Sequence, residues 1–247
     1  MQSSESLYMG SWRYEPAVDL DQSLTERLRR FPREPDITVY GLRSLAALML
    51  RGWLRLYHRL EIEGREHLPK EGSFVLVANH GSHLDTLCLL AALPLRKLHR
   101  AFPAAAQDYF FVSVPRLAVA AIVVNALPFA RQTHIRHSLD LCRQLLANPG
   151  NILILFPEGT RTTTGQTRQF KAGIGLLVAG TPVPVVPCRL VGAFEAWPKG
   201  RWLPSPRPVR LRIGAPRTYA MLPPGRESSE LICRELRETI IELGGER

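Results

Sequence analysis

Apolar positions along this chain follow two different periods. From about Ile37 to Leu60, Leu42, Leu45, Met49, Trp53, Leu56 and Leu60 recur at three- and four-residue steps, while Arg51, Arg55 and Arg59 line a different face. That spacing predicts an amphipathic helix with a basic face and aromatics at its apolar edge. Such a helix either packs on its own core or lies flat in a membrane interface with its arginines toward anionic headgroups. Further along, Phe74–Ala78, Ile152–Phe156 and Val183–Val186 are short apolar runs bounded by turn residues, which predicts buried strands. Val209–Ile213 alternates and predicts a more exposed strand, and Leu98–Phe102 is a weaker strand pattern. Between them Leu84–Leu93, His134–Ala147 (stopped by Pro149-Gly150) and Glu227–Leu243 carry the helical period. Leu117–Leu127 is strongly apolar but short, which predicts a buried helix or one that dips into a monolayer.

Strands alternating with helices imply an α/β fold: a single domain with a mixed, largely parallel sheet flanked by helices, preceded by an N-terminal amphipathic membrane-binding segment. The expected division is a flexible arm over 1–35, a membrane-associating helical segment over 36–62, and the α/β domain over 63–247. No segment approaches the roughly 18–20 clean apolar residues of a spanning helix. The longest charge-free run, Ala172 to Cys188, holds three glycines and three prolines. The N-terminus also lacks the apolar core of a secretory signal. The expected location is therefore the cytoplasmic face of a membrane, as a peripheral or monotopic protein. A formal net charge of +10 favours anionic partners, whether phospholipid surfaces, nucleic acid or phosphorylated substrates, without choosing among them. The four cysteines form no CxxC pair, which argues against a zinc cage or a disulfide framework.

Candidate chemistry begins where the Phe74–Ala78 run passes into Asn79-His80-Gly81-Ser82-His83-Leu84-Asp85. Groups beyond the carboxyl ends of strands are where open α/β sheets place their sites. If a helix starts near Ser82, Asp85 lies one turn in and can turn back to His80. A carboxylate on one imidazole nitrogen sets the tautomer and leaves the other nitrogen as a base, able to activate a hydroxyl with no enzyme nucleophile. The same residues fit a second role, because Ser82-x-x-Asp85 is also a capping-box pattern. Cys88 is a conceivable nucleophile, but it sits a turn further on in an apolar run and fits the core. His80, His83, Asp85, His134 and His137 could supply metal ligands, yet their spacing matches no tight zinc motif and the last two sit among arginines. The second block, Phe156-Pro157-Glu158-Gly159-Thr160-Arg161, follows another strand. A glycine turn with Thr160 and Arg161 beside it suits a phosphate held by backbone amides and a guanidinium, and Lys171 follows after a polar loop. Gly173-Ile-Gly175 lacks the leading strand of a nucleotide fingerprint.

In order, Asn79-His80-x4-Asp85, Phe129-x-Arg131, Phe156 to Arg161 and Val183-Pro184-Val185-Val186-Pro187 resemble the four motif blocks of the glycerolipid acyltransferases, which include the 1-acylglycerol-3-phosphate acyltransferases. The resemblance covers about residues 40–220. It implies that His80 is the general base and Asp85 its orienting partner. It also implies that Arg131, Glu158 and Gly159 contact the acceptor's glycerol phosphate, with Thr160, Arg161 and Lys171 as further contacts. The proline block would shape the acyl-donor side. The implied reaction moves a fatty acyl group from coenzyme A or acyl-carrier protein to a lysophospholipid hydroxyl, most simply 1-acylglycerol-3-phosphate, making phosphatidic acid. Thioester and lysolipid are co-substrates, an anionic membrane is the expected surface, and neither a resident cofactor, a metal nor nucleic acid is called for. Rival readings are another acceptor, such as glycerol 3-phosphate or a lyso-aminolipid, and a non-enzymatic basic membrane binder. One departure stands out. The second block usually opens with glycine, whereas here Asn125 stands there and Pro128 follows, so an altered loop backbone is expected.

Overall fold

The structure, a computed structural model, describes residues 37–106, 124–129 and 135–245. Its helices are α1 (Ile37–Tyr57), α2 (Leu84–Ala92), α3 (Ile135–Ala147), α4 (Gly173–Val178), α5 (Ala193–Ala196) and α6 (Arg226–Leu243). Its strands are β1 (Glu61–Glu63), β2 (Phe74–Ala78), β3 (Ala101–Ala106), β4 (Leu127–Phe129), β5 (Ile152–Leu155), β6 (Val185–Val191) and β7 (Arg210–Ile213). They form one sheet in the order β1-β7-β6-β2-β5-β3-β4. Every pairing is parallel except β6 with β7, so the sheet is mixed and mostly parallel as the alternation predicts.

The all-apolar run of β2 is explained by burial on both faces. Phe74, Leu76 and Ala78 join the cluster beneath α1 and α2, while Val75 and Val77 join the opposite cluster beneath α3, α4 and α6. Parallel pairing then carries the carboxyl ends of β2, β5, β3, β4 and β6 to one edge of the sheet. The segments after β2, β5 and β4 are the ones that hold the first three blocks.

Several expected elements shift. Leu95–Arg100 winds as a 3-10 helix, so the strand expected at Leu98–Phe102 begins only at Ala101. The strand expected at Val183–Val186 runs instead from Val185 to Val191. Arg189 is buried within it, bonded to the Thr167 hydroxyl, and its charge had interrupted the apolar pattern. Of the helix expected over Leu117–Leu127, residues 117–123 lie outside the described residues, and Leu127 opens the edge strand β4. The arm over 1–35 also lies outside them. Strands β1 and β4, three residues each, are too short to show a period.

Helix α1 stops at Tyr57 and packs on the core with one face while leaving apolar side chains exposed on another. Its inner face belongs to the core: Leu54 is fully buried, and Ala47, Leu50 and Trp53 pack against the same cluster. Its outer face stays apolar, with Leu45 57%, Met49 70% and Leu56 82% exposed. Trp53 and Leu60, counted above with the outer stripe, instead pack against the core.

Candidate active site

Asn79 caps the end of β2 and aligns it with β6. Its amide nitrogen donates to the Leu190 carbonyl at 3.1 Å and its oxygen accepts from the Leu190 amide at 2.8 Å, so the side chain continues the ladder by one rung. The chain then turns, and His80 comes to lie flat on Phe156, with ring centroids 4.1 Å apart. Asp85, fully buried at the start of α2, sends one carboxylate oxygen, Oδ2, back across the turn. That oxygen faces His80 Nδ1 at 2.9 Å and accepts from the Gly81 and Ser82 amides at 2.7 and 2.8 Å. Orienting the imidazole and capping the helix start are thus one arrangement. With Nδ1 held as the donor, Nε2 is the basic nitrogen. Ser82 completes the turn: its hydroxyl donates to the Trp197 carbonyl at 2.8 Å and accepts the Leu84 amide at 3.1 Å.

The Phe156–Arg161 block is tied to the same residue. Glu158 is 3% exposed; its Oε1 accepts from the His80 amide at 2.7 Å and its Oε2 from the Arg168 amide at 3.1 Å. The His80 carbonyl in turn accepts from the Thr162 amide at 2.8 Å. Glu158 is therefore a clasp between two loops, with both oxygens already engaged. Burial pushes its carboxyl above the ordinary value, against the pull of the two amides. Gly159 has φ of +72°, and a β-carbon there would stand 2.9 Å from Lys171 Cε and Nζ. The left-handed backbone is what favours glycine here; the exposed Lys171 side chain that lies across it is flexible and could move aside. Thr160 and Arg161 are half-buried in this loop, and Lys171 is exposed. Arg161 acts on His83, whose imidazole is pushed down to about 4 by burial, then by Arg161 and His80.

Arg131 lies outside the described residues, but the strand leading to it does not. Asn125, at the usual glycine position, has φ of +56°, a left-handed conformation that asparagine tolerates better than most residues. Its side chain accepts from buried Arg43 of α1 at 3.1 Å and donates to the His99 and Ala101 carbonyls, each at 3.2 Å. Pro128 falls within β4 at the sheet edge, where a missing amide is tolerated. The expected disturbance of this backbone is thus absorbed as far as Phe129.

Cys88 is fully buried and its thiol is pushed up by that burial, so it is core rather than nucleophile. Among the described residues no three His, Cys, Asp or Glu side chains converge; His137 is exposed on α3, and His134 lies outside them. Asn79, Ser82 and Phe156 hold the site together; Ser82 fits a capping-box pattern in the sequence, while Asn79 and Phe156 stand in the motif blocks with no role given to them. Phe194 also walls the turn, since a β-carbon on Gly81 would meet its Cβ at 3.2 Å.

The acyltransferase family model matches residues 59–191. The chain is 30% identical to a chloroplastic 1-acyl-sn-glycerol-3-phosphate acyltransferase of Brassica napus, over 75% of this chain and 51% of that protein. It is 26% identical to the mouse 1-acyl-sn-glycerol-3-phosphate acyltransferase alpha, over 72% of this chain and 61% of that one. The chain thus spans only about half to three-fifths of the length of these curated relatives. The crystal structure of the 1-acyl-sn-glycerophosphate acyltransferase PlsC from Thermotoga maritima superposes with a TM-score of 0.63 at 27% identity, covering 82% of this chain and 77% of that one. The matched region contains both the His80–Asp85 pair and the Glu158 clasp, and the chain belongs to the acyltransferase family.

Proposed function

We propose that this protein transfers a fatty acyl group from a coenzyme A or acyl-carrier-protein thioester to a lysophospholipid hydroxyl, with 1-acylglycerol-3-phosphate as the acceptor. The observation that carries this reading is the buried Asp85 carboxylate 2.9 Å from His80 Nδ1, at the mouth of the sheet and beside the glycine turn. Nε2 of His80 takes the hydroxyl proton as the acceptor oxygen attacks the thioester carbonyl. The C–O bond forms, the C–S bond breaks, and the imidazolium returns its proton to the departing thiolate. Asp85 stabilises the imidazolium between these steps. Lys171 and Arg161, with Arg131 following β4, supply positive charge for the acceptor phosphate. Glu158 acts on the acceptor indirectly, by holding the His80 and Arg168 loops in register. No helix among the described residues is long and apolar enough to cross a membrane, and the outer face of α1 suits peripheral contact with one.

The test is thiol release from acyl-CoA with 1-acylglycerol-3-phosphate, compared with other lysolipids. Wild type should turn over and His80→Ala should lose about 10²–10⁴ in rate. Arg131→Ala should raise the acceptor KM by about tenfold or more with the acyl-CoA KM unchanged. No thiol release with any lysolipid would overturn the proposed activity, and turnover confined to a phosphate-free acceptor would overturn the proposed substrate.

A further inference from the structure

A groove of about 1020 Å³ opens at the end of β2 opposite His80. Phe74, the first residue of β2, lines it, which places it about 20 Å along the strand from the imidazole. Its walls carry Arg51, Arg55 and Arg59 from α1 and the residues after it, Arg65 and Lys70 from the segment after β1, and Arg96 and Lys97 beyond α2. Two carboxylates, Glu61 and Glu66, stand in the lining, and Glu61 is held by Arg210 at 2.9 Å; a third, Glu71, acts on Lys97. Among the described residues Arg55, Arg65, Lys70 and Arg96 make no ion pair. Arg51 donates to the Leu93 carbonyl, while its Nε is buried without a hydrogen-bond partner. Lys97 spans to the Pro69 and Lys70 carbonyls at 2.7 and 2.8 Å, so the cations sit on connected walls. Burial and then the facing Arg65 push the Arg51 guanidinium down; burial and then Arg96 do the same to Lys97. Cations crowded this way, in excess of the carboxylates that face them, favour an anion between them.

The position of the groove indicates which anion. At 100° per residue, Arg55 lies roughly 100° and Arg51 roughly 140° round the helix from the middle of the outward stripe formed by Leu45, Met49 and Leu56, so Arg55 is the nearer of the two to that stripe. A helix lying in a bilayer with that stripe buried would hold the groove mouth at headgroup depth. Leu60, Ile62 and Leu93 add apolar lining that suits the glycerol and upper acyl carbons of a lipid more than a fully hydrated ion. We propose that this groove binds the phosphate headgroup of an anionic phospholipid from the supporting membrane, at a site separate from the acyl acceptor. The proposal rests on α1 lying on a bilayer, and is independent of the acyl-transfer reading.

The experiment is vesicle binding by the intact chain, using phosphatidylcholine vesicles with and without phosphatidylglycerol. Arg55→Gln/Arg65→Gln/Arg96→Gln removes three exposed, unpaired charges and should leave the melting temperature unchanged. It should weaken binding to phosphatidylglycerol vesicles about 100-fold and leave binding to pure phosphatidylcholine as it was. Thiol release with a micellar acceptor should also be unaffected. A control, Arg136→Gln/Lys199→Gln/Arg234→Gln, removes the same charge from other exposed positions and should have little effect. Equal losses in the two triples would reduce the effect to bulk charge and overturn the site. Tight binding of pyrophosphate by wild type, abolished by the groove triple while vesicle binding persists, would reassign the groove to a soluble phosphate. If wild type binds neither vesicle, the membrane role of α1 fails, and the headgroup site fails with it.

Discussion

Replacing Asp85 by asparagine separates the two duties of its carboxylate. In the native site Oδ2 receives His80 Nδ1–H and the Gly81 and Ser82 amides, while Oδ1 is buried with no hydrogen-bond partner. An asparagine that places its oxygen at the Oδ2 position keeps all three acceptor contacts, so the turn and the start of α2 survive. Its amide nitrogen then occupies the Oδ1 position, where a buried donor without an acceptor costs about 1–3 kcal/mol. The negative charge beside the ring is gone, and the imidazolium formed during proton transfer loses its partner. The opposite rotamer is worse, because an N–H₂ group would face two backbone donors and push His80 toward the tautomer with Nε2 protonated. Either way the base is impaired, and kcat should fall by about 10²–10⁴. The measurements are steady-state thiol release, with both substrates saturating, and thermal unfolding of the same preparations. His80→Ala should fall by a similar factor, and the double variant should be little worse than either single one, since the two residues act as a unit. Full activity in Asp85→Asn, with only about a kcal/mol of lost stability, would reduce Asp85 to a helix cap and refute its part in the reaction.

Glu158→Gln offers one acceptor oxygen where two backbone amides now require one each, so it should lower kcat and the melting temperature together; a rise in acceptor KM alone would instead mean that Glu158 touches the substrate. His83 has a folded-state pKa of about 4 against an ordinary 6.5, so the folded protein binds fewer protons than the unfolded chain between those values. The resulting stability is present above pH 6.5 and lost as pH falls toward 4; His83→Gln should flatten that part of the melting-temperature profile, and an unchanged slope would count against the assignment. Leu45→Glu/Met49→Glu alters side chains 57% and 70% exposed, so vesicle sedimentation should drop while the melting temperature holds. Deleting the helix is a poorer experiment, because Leu54 and Arg43 on its inner face are buried against the domain.

The residues proposed to carry the reaction could be picked out in the linear chain because each stands next to a run whose period announces itself. The Phe74–Ala78 and Ile152–Phe156 runs point to buried strands, and His80, Asp85, Glu158 and Gly159 lie within a turn or so of their ends. Local spacing was also enough to suggest that Asp85 could reach His80, since only one helical turn separates them. Periodicity reports which face a residue takes, however, and says nothing of distant partners. Glu158 meets the His80 amide across 78 residues, Asn79 meets Leu190 across 111, and Arg43 meets Asn125 across 82. Each is a polar group whose burial is tolerated only because folding delivers its partner. For that reason the clasp role of Glu158, the partners that hold Asn125 where glycine is usual and the buried Arg189 inside β6 emerged only from the assembled sheet. The same holds for α1. Its apolar stripe was plain in the sequence, but only the packing of Leu54 and Trp53 against the core showed that Leu45, Met49 and Leu56 are the face left outside.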